Sequence, residues 1–170
     1  MGVEPERKFL LKDDTWKQDV VSSMKIVQRY LCRDFERTVR VRIEDDSRGF
    51  ITVKGKAPSG SINTPEFEYS IPLQDAQEQM KLCLPGVIEK TRYHVPFAGK
   101  TWEIDIFEGE NKGLVMAEIE LAHGNEAFEK PAWAGQEVTF DPSYKNTSLT
   151  TCPYKSWNTS SGNKPAHPCP

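Results

Sequence analysis

The feature that most constrains the fold of this chain is a regular alternation of charged and apolar residues. In the stretch VRVRIE, every second residue is charged, and the residues between them are valine or isoleucine. Because successive side chains of a β-strand point to opposite faces, this pattern predicts a strand with one ionic face and one apolar face. Similar alternation occurs in six further stretches, namely VEPERKFL, ITVKGK, PEFEYSI, EKTRYHV, WEIDIF and MAEIEL.

The alternation and the turn residues between the stretches predict a β-rich chain with few helices. Strands are predicted near 3–11, 26–32, 38–45, 49–55, 66–71, 88–95, 101–107 and 114–121. Helices are predicted at 12–25, at 73–84, near 124–130 and from Asp141–Pro142 onward. In the first of these, Trp16, Val20 and Met24 recur at helical spacing. Together these elements indicate the α+β class with an antiparallel sheet.

The ionic faces carry doublets of a single sign, which suggests that they meet a ligand. Like charges two residues apart repel each other unless an opposite charge lies between them. Carboxylate oxygens are the ligands that Mg²⁺ and Mn²⁺ prefer, whereas guanidinium and ammonium groups suit a polyphosphate. If the sheet closes with its ionic face inward, both sets line one cavity, and helices cover the apolar outside. The alternative is a set of ionic faces that simply meet water, as in many antiparallel sheets.

Composition excludes several functional classes. The net charge of −3, from 22 Lys+Arg and 25 Asp+Glu, argues against a nucleic-acid binder that relies on bulk positive charge. No apolar run approaches the roughly 18 residues of a membrane span, and no secretory signal is visible. The four cysteines are far apart and lack zinc-like spacing, so reduced cysteines in a cytoplasmic protein are predicted.

The opening Glu4-x-Glu6-x-Lys8 resembles the ExExK signature of the CYTH, or triphosphate tunnel metalloenzyme, superfamily. The stretches VRVRIE, ITVKGKA, EFEYSI, EKTRY, WEIDIF and MAEIEL match the family in order, and PAWAGQEVTFDPSYKNTSL resembles the end of its short bacterial members. The resemblance covers residues 1–150 as one CYTH triphosphate tunnel domain. It implies an eight-stranded antiparallel β-barrel that forms a tunnel, with a few helices packed outside and a short C-terminal helix. Residues 151–170 have no counterpart and are rich in Pro, Ser, Thr and Asn, which predicts a flexible tail.

The resemblance also implies roles for the charged residues and a Mg²⁺ or Mn²⁺ cofactor. The implied metal-binding residues are Glu4, Glu6, Asp105, Glu118 and Glu120. The implied triphosphate-binding residues are Lys8, Arg40, Arg42, Lys54, Lys56, Lys90 and Arg92, and Lys8, Lys90 and Arg92 are assigned as catalytic. Glu66, Glu68 and Lys145 are weaker candidates, and Lys56 equally fits a solvated loop position.

The activity that this resemblance implies is metal-dependent hydrolysis of inorganic triphosphate (tripolyphosphate) to pyrophosphate and phosphate. Nucleoside triphosphatases, thiamine triphosphatases and class IV adenylate cyclases of the family use the same charged groups. An organic substrate would also need an aromatic surface, for which Trp102, Trp133 and Tyr144 are candidates, although aromatic residues of this kind more often serve packing in the core or on the surface. The short loops favour the inorganic substrate.

Two functions from other classes are weighed against hydrolysis. A polyphosphate- or nucleotide-binding module without hydrolysis would gain nothing from four carboxylates near its ligand. A single-stranded nucleic-acid binder would need aromatic residues between its basic residues, and the basic stretches contain only Tyr93. We therefore expect a small-molecule triphosphate as partner, no nucleic acid and no membrane; whether the chain forms a homodimer is left open.

Pro5 interrupts the ExExK stretch and has no backbone N–H to donate to a sheet. We predict that its nitrogen has no ladder partner, that its ring points to the apolar side, and that its acidic neighbours face the interior.

Overall fold

The structure is a computed structural model that describes residues 2–3 and 5–157 of the 170-residue chain. The predicted metal ligand Glu4 and residues 158–170 of the predicted tail lie outside the described residues. Among the described residues, no helix is both long and apolar enough to cross a membrane.

The described residues form ten strands and two α-helices. The strands are β1 Gly2–Val3, β2 Glu6–Leu11, β3 Ser22–Arg33, β4 Arg37–Glu44, β5 Arg48–Gly55, β6 Pro65–Ile71, β7 Ile88–Phe97, β8 Lys100–Phe107, β9 Val115–Glu120 and β10 Ala134–Glu137. The helices are α1 Leu73–Met80 and α2 Asn146–Thr151. Short 3₁₀ turns lie at Thr15–Asp19, Gly109–Asn111, Pro142–Tyr144 and Tyr154–Ser156.

All strands pair antiparallel in one open sheet, in the order β1-β6-β5-β4-β3-β7-β8-β9-β2-β10. The prediction of a closed eight-stranded barrel is therefore wrong, although the antiparallel sheet and the scarcity of helices are confirmed. The N-terminal stretch contains two strands, β1, which ends at Val3 and pairs with β6, and β2, which begins at Glu6 and pairs with β9. Three peptide steps span at most about 11 Å, so the β6 and β9 regions lie close together and the sheet curves round an interior.

Pro5 belongs to neither strand, as predicted from its missing N–H. Pro5 is buried, and its carbonyl oxygen accepts a hydrogen bond from the Leu121 N–H at 2.9 Å. The boundary between β1 and β2 follows from this proline, because the ladder has no donor at that position.

Two of the predicted helices are absent from the described residues. The helix predicted at 12–25 is a 3₁₀ turn followed by β3, because Ser22–Gln28 pair residue by residue with β7. The segment predicted as a helix near 124–130 is irregular, and its Phe128 packs against Phe9 and Trp102. The helix predicted at 73–84 is confirmed but ends earlier, at Met80, and the one after Asp141 begins as a 3₁₀ turn and continues as α2.

One apolar cluster covers the outer face of β2, β7, β8 and β9. Its buried members include Phe9, Ile104 and Ile119, which alternate with cavity-facing residues of their strands. Trp16 and Trp133, from the segments before β3 and β10, cover this face. Trp16 therefore covers the outer face of the sheet, as predicted, but it does so from a 3₁₀ turn and not from a helix.

A second apolar cluster fills one end of the interior with the C-terminal segment. Met116 lies on the same face as Glu118, and Phe107 lies opposite Lys90 in the β7–β8 register. The C-terminal residues Val138, Tyr144, Leu149, Cys152 and Trp157 are buried in the same cluster as these inward-facing side chains. The assignment of 151–157 to a flexible tail is therefore wrong for these residues.

The cysteines depart in part from the prediction. Cys152 takes part in a disulfide bond, so the prediction of reduced cysteines is wrong at this residue. Cys32 and Cys83 carry free thiols.

Candidate functional site

The predicted ionic faces line one cavity of about 690 Å³, which we call the charged cavity. Its walls include the predicted cationic residues Lys8, Arg40, Arg42, Lys54, Lys56, Lys90 and Arg92. They also include the predicted acids Glu6, Glu118 and Glu120, and the weaker candidates Glu66, Glu68 and Lys145. Among the described residues predicted for the site, Asp105 does not line the cavity.

Strand register explains why residues so far apart in sequence meet in this cavity. Lys8 of β2 lies opposite Glu118 of β9, which in turn lies opposite Glu103 of β8. Glu6 lies opposite Glu120 in the same β2–β9 pair. Because directly opposed residues of paired strands share a face, the alternation within each strand becomes a continuous ionic wall.

Asp105 lies beneath two of the cavity cations and is fully buried. Its Oδ2 accepts hydrogen bonds from Lys90 Nζ at 2.6 Å and from Arg92 Nη2 at 2.8 Å. Its Oδ1 accepts from Arg92 Nε at 2.7 Å. Both carboxylate oxygens accept hydrogen bonds from cations, and Asp105 does not line the cavity, so its assignment as a metal ligand stays a prediction. Its role in this geometry is to hold the two cations in place.

Burial of this ion group shifts its pKa values in opposite directions. For Arg92, burial alone lowers the pKa, but Asp105 and Glu118 outweigh it and hold the guanidinium pKa well above its ordinary value. For Lys90, burial lowers the pKa below its ordinary value, and Arg92 adds to this effect while Asp105 opposes it. Arg92 is thus the firmly charged member of the pair.

Lys8 joins the two acidic residues at the β2–β9 boundary. Its Nζ lies 3.0 Å from Glu6 Oε1 and 3.4 Å from Glu118 Oε1. Burial by itself lowers the Lys8 pKa, but the two carboxylates outweigh it and raise the pKa above its ordinary value. Burial opposes ionisation of Glu118, yet Lys8 and Arg92 hold its pKa well below the usual range. The lysine and the carboxylate are therefore both charged at neutral pH.

A second ion group occupies the β4–β5–β6 side of the cavity. Arg40 Nη2 lies 3.4 Å from Glu66 Oε1, and Lys54 Nζ lies 2.6 Å from Glu66 Oε2. Arg42 Nη1 lies 4.0 Å from Glu68 Oε2, which also accepts a 2.7 Å hydrogen bond from Thr52 Oγ1. These acids keep the cations neutralised, and an incoming polyanion must displace them.

The carboxylates near Glu120 have the chemistry of a divalent-cation site. Among the described residues, no lysine or arginine forms an ion pair with Glu120. Partial burial and the nearby charges of Glu6 and Glu66 raise its pKa above the ordinary value. A divalent cation would relieve this repulsion, and carboxylate oxygens are its preferred ligands. Within the described part of the chain, no three such side chains are already gathered as a ligand set. The donor chemistry therefore fits a metal ion, and Glu6, Glu118 and Glu120 are the residues available to hold it.

Sequence reasoning missed several cavity residues, among them Glu103, Phe35 and Phe140. Glu103 pairs with Arg92 Nη1 at 2.5 Å, and burial, reinforced by Glu118 and Asp105, raises its pKa to about 7. Its alternation with Asp105 was visible, but only the sheet register shows which of the two carboxylates reaches the cavity. Phe35 and Phe140 line the cavity and are 79% and 69% exposed. Both lie outside the strands, Phe35 in the bend between β3 and β4 and Phe140 in the turn after β10, so they give no periodic signal.

The aromatic residues predicted to bind an organic ring are buried elsewhere. Trp102 and Trp133 pack against each other in the outer apolar cluster, with ring centroids 5.4 Å apart. Tyr144 packs against Trp157 in the cluster that fills the end of the interior. The packing role that the sequence favours for these residues is therefore the one observed, and none of the three rings offers a surface for an organic ligand in this position.

Comparison with known proteins adds a family and named relatives. The CYTH domain family model matches residues 3–151. An inorganic triphosphatase of Acetivibrio thermocellus is 46% identical over 158 residues, covering 92% of this chain and 99% of the relative. An inorganic triphosphatase of Nitrosomonas europaea is 30% identical over 154 residues, covering 86% of this chain and 95% of the relative. A crystal structure of an inorganic triphosphatase matches with a TM-score of 0.62 and 29% identity, covering 88% of this chain and 95% of that one.

Proposed function

The chain belongs to the CYTH domain family, and on that premise we propose that it is a metal-dependent inorganic triphosphatase. The reaction is the hydrolysis of inorganic triphosphate to pyrophosphate and phosphate. Named inorganic triphosphatases that match nearly the whole chain support this activity. The single observation that carries it is one cavity in which nine lysine and arginine side chains meet acidic residues.

The cations on two sides of the cavity provide the substrate-binding surface of this proposal. Lys54, Arg40 and Arg42 would neutralise one part of the triphosphate, and Lys8, Lys90 and Arg92 would neutralise the other. Guanidinium groups suit this task because their N–H groups match pairs of phosphate oxygens. Lys56 and Lys145 contribute charge nearer the cavity mouth. Glu66 and Glu68 would release Arg40 and Lys54 when the polyanion enters.

The acidic residues supply the catalytic part of the proposal. Glu6, Glu118 and Glu120, with Glu4 outside the described residues, would hold a Mg²⁺ or Mn²⁺ ion. Such an ion, when bound, polarises a phosphoryl oxygen and lowers the pKa of water. Water attacks the terminal phosphorus, the bond to the bridging oxygen breaks, and pyrophosphate leaves with that oxygen. Lys8, Lys90 and Arg92 would stabilise the charge on the transferring and leaving groups, with Asp105 holding Lys90 and Arg92 in position.

The curved sheet would act as the tunnel of the family by surrounding the substrate with fixed charges. Preorganised charges stabilise a transition state without first having to reorient, which is a large source of catalysis. We further propose a cytoplasmic location and a small-molecule triphosphate as the partner, with neither nucleic acid nor membrane involved. An alternative on the same cavity is a nucleoside or thiamine triphosphate substrate, and another is binding of a polyphosphate without hydrolysis.

A phosphate-release assay tests the proposed function. Inorganic triphosphate, ATP, GTP, thiamine triphosphate and pyrophosphate are each supplied with Mg²⁺ and with Mn²⁺, and a parallel assay detects cyclic AMP. We expect phosphate release from inorganic triphosphate that stops when the metal is chelated.

Lys8→Ala should lower kcat by about 10²- to 10³-fold, the loss typical of removing one charge-stabilising donor. The matched control Lys112→Ala removes an exposed lysine of the β8–β9 connection and should leave the rate unchanged. Full activity in Lys8→Ala, or tight triphosphate binding with no turnover by the unaltered chain, would refute the assignment.

A further inference from the structure

Gln28 of β3 is a polar residue buried beside the charged cavity. It is 0% exposed, and it alternates with Ile26 and Tyr30 on one face of its strand. Tyr30 lines the cavity, so this face points to the interior. Among residues 2–3 and 5–157, neither the amide oxygen nor the amide nitrogen of Gln28 has a hydrogen-bond partner. Burying both polar atoms of an amide without partners costs stability, so such a residue calls for an explanation.

The strand register places Gln28 directly opposite Arg42 of β4 on one side and Ile88 of β7 on the other. Directly opposed side chains of antiparallel strands share a face, with Cβ atoms roughly 4.5–5.5 Å apart. Ile88 is apolar and offers the amide no hydrogen bond. Arg42 offers the donor Nε, which is also buried and lacks an acceptor in the described part of the chain. An unused acceptor and an unused donor therefore belong to opposed residues of one ladder.

Arg42 is loosely held by its acidic neighbours. Its Nη1 lies 3.3 Å from Glu44 Oε1 and 4.0 Å from Glu68 Oε2. Burial lowers the pKa of Arg42, and the nearby charges of Arg40 and Arg92 add to this effect. In the proposed function an incoming polyanion displaces the acids of this side of the cavity. Arg42 then needs another contact that fixes the direction of its guanidinium group.

A hydrogen bond at Nε suits this task. The guanidinium group is planar and carries five N–H donors in a fixed fork, so a contact at Nε orients the whole group. Both Nη groups stay free for phosphate oxygens. An amide oxygen is also neutral, so it orients the arginine without neutralising the charge that attracts the phosphate, as the carboxylates of Glu44 and Glu68 do.

We propose that Gln28 is a positioning residue for Arg42, whose Nε–H donates to the Gln28 amide oxygen when triphosphate is bound and whose Nη groups are thereby turned to the phosphate oxygens. Without triphosphate, Glu44 and Glu68 hold Arg42, and the amide stays unpaired. Gln28 acts through Arg42 and not by touching the substrate, because it does not itself line the cavity. The inference rests on the proposed function in placing the triphosphate among the cavity cations.

A double-mutant cycle on triphosphate binding tests this contact. Dissociation constants for inorganic triphosphate without metal are measured by calorimetry on the full chain, Gln28→Leu, Arg42→Ala and the double variant. We expect Gln28→Leu to weaken binding by about ten- to 100-fold, the range for a hydrogen bond to a charged group. In the Arg42→Ala background the same substitution should change the dissociation constant by less than about twofold, because both residues act through one contact.

Steady-state kinetics with Mg²⁺ give a second measure of the same contact. The proposed function assigns the charge of the transferring and leaving groups to other cations, so Arg42 contributes to binding of the ground state and the transition state alike. Gln28→Leu should therefore raise KM for inorganic triphosphate by about ten- to 100-fold and leave kcat within about twofold of the unaltered chain.

Stability separates positioning from a purely structural role. Gln28→Leu and the unbranched Gln28→Met remove an unpaired buried amide, so both should keep or raise the free energy of unfolding in urea while binding weakens. Gln79→Leu is the matched control. The Gln79 Oε1 is likewise buried without a hydrogen-bond partner in the described residues, but Gln79 lies on α1 and does not line the cavity. Its replacement should leave triphosphate binding unchanged.

Three results would overturn the inference while the proposed function stands. They are unchanged triphosphate binding in Gln28→Leu, equal weakening by this substitution with and without Arg42, and a loss of stability in both the leucine and the methionine variants. The absence of triphosphate binding by the unaltered chain would refute the proposed function and this inference together. Phosphate release by the unaltered chain tells the two cases apart.

Discussion

At the scale of single residues, the acidic side chains of the charged cavity and its walls differ in the charges that surround them. Asp105 is buried and bonded to two cations, whereas Glu120 lies among other carboxylates. The charge pattern predicts that all of them face the interior, and the structure confirms this for Glu6, Glu118 and Glu120. The sequence could not distinguish a positioning acid from a cavity acid, because depth in a curved sheet depends on strand order and not on alternation.

Asp105→Asn tests the positioning role. The substitution keeps the shape of the side chain but leaves Lys90 and Arg92 without their buried counter-charge. Removing one partner of a buried ion pair costs about 3–5 kcal/mol, so we expect the free energy of unfolding in urea to fall by that order. Glu137→Gln, which removes the partner of the half-exposed Arg7, should cost less than about 1 kcal/mol. Equal losses in the two variants would contradict the role of Asp105.

Glu103→Gln tests the pH dependence that burial imposes on the cavity. The pKa of Glu103 rises from 4.5 to about 7 on folding. Between these two pH values, the folded chain therefore keeps a proton on Glu103 that the unfolded chain has lost. The stability from this group is therefore fully present below the unfolded pKa and is lost as pH rises through about 7. We expect the free energy of unfolding of the variant, minus that of the unaltered chain, to increase from pH 5 to pH 8.

The measurement for Glu103 is the free energy of unfolding of both proteins at the two pH values, without metal. Titrating groups far from Glu103 are common to both proteins and cancel in the difference, whereas His94, whose Nε2 lies 3.9 Å from Glu103 Oε1, is replaced by glutamine in both proteins. A difference in stability that stays constant with pH, or that moves in favour of the unaltered chain at pH 8, would contradict the raised pKa.

At the scale of elements, the C-terminal segment is part of the folded core. Leu149 and Trp157 are buried beside inward-facing residues of the sheet, and the Trp157 Nε1–H donates to the Cys152 carbonyl at 3.2 Å. The sequence did not predict this packing, since the segment has no periodicity and its apolar residues are widely spaced. Its contacts come from the shape of the interior that it fills.

Trp157→Ala tests this packing. Truncating a large buried aromatic side chain costs about 3–5 kcal/mol, so we expect a loss of that order in the free energy of unfolding. Phe67→Ala truncates an aromatic ring that is 42% exposed on β6 and should cost less than about 1 kcal/mol. If Trp157→Ala were as stable as the unaltered chain, residues 152–157 would not be part of the core.

The segment before β3 shows why helical spacing misled the prediction. Trp16, Val20 and Met24 recur every four residues, but Met24 is in β3 and pairs with Arg92 of β7. Only five residues form the 3₁₀ turn, and the sheet hydrogen bonds of β3 outweigh the weak helical preference of the following Val, Val, Ser and Ser. Long-range pairing of this kind cannot be read from local spacing.

At the scale of the whole molecule, the inward charge pattern is what the sequence predicted best. Alternation fixes which side chains share a face, so the cavity residues from Lys8 to Glu120 could be assigned before any strand order was known. Whether the sheet is open or closed into a barrel could not be assigned in the same way. The open arrangement depends on Pro5, which belongs to neither β1 nor β2, and on β10, which pairs with β2 in a shifted register.

The central claim is that the charged cavity binds the triphosphate and its metal together. Anomalous diffraction from crystals soaked with Mn²⁺ and a non-hydrolysable imidotriphosphate measures both positions at once. The account predicts a manganese peak beside the carboxylates of Glu6, Glu118 and Glu120, with the analogue in contact with Lys54, Arg40 and Arg42. Manganese and analogue bound on the outer surface, with the cavity carboxylates and cations still paired to one another, would contradict it.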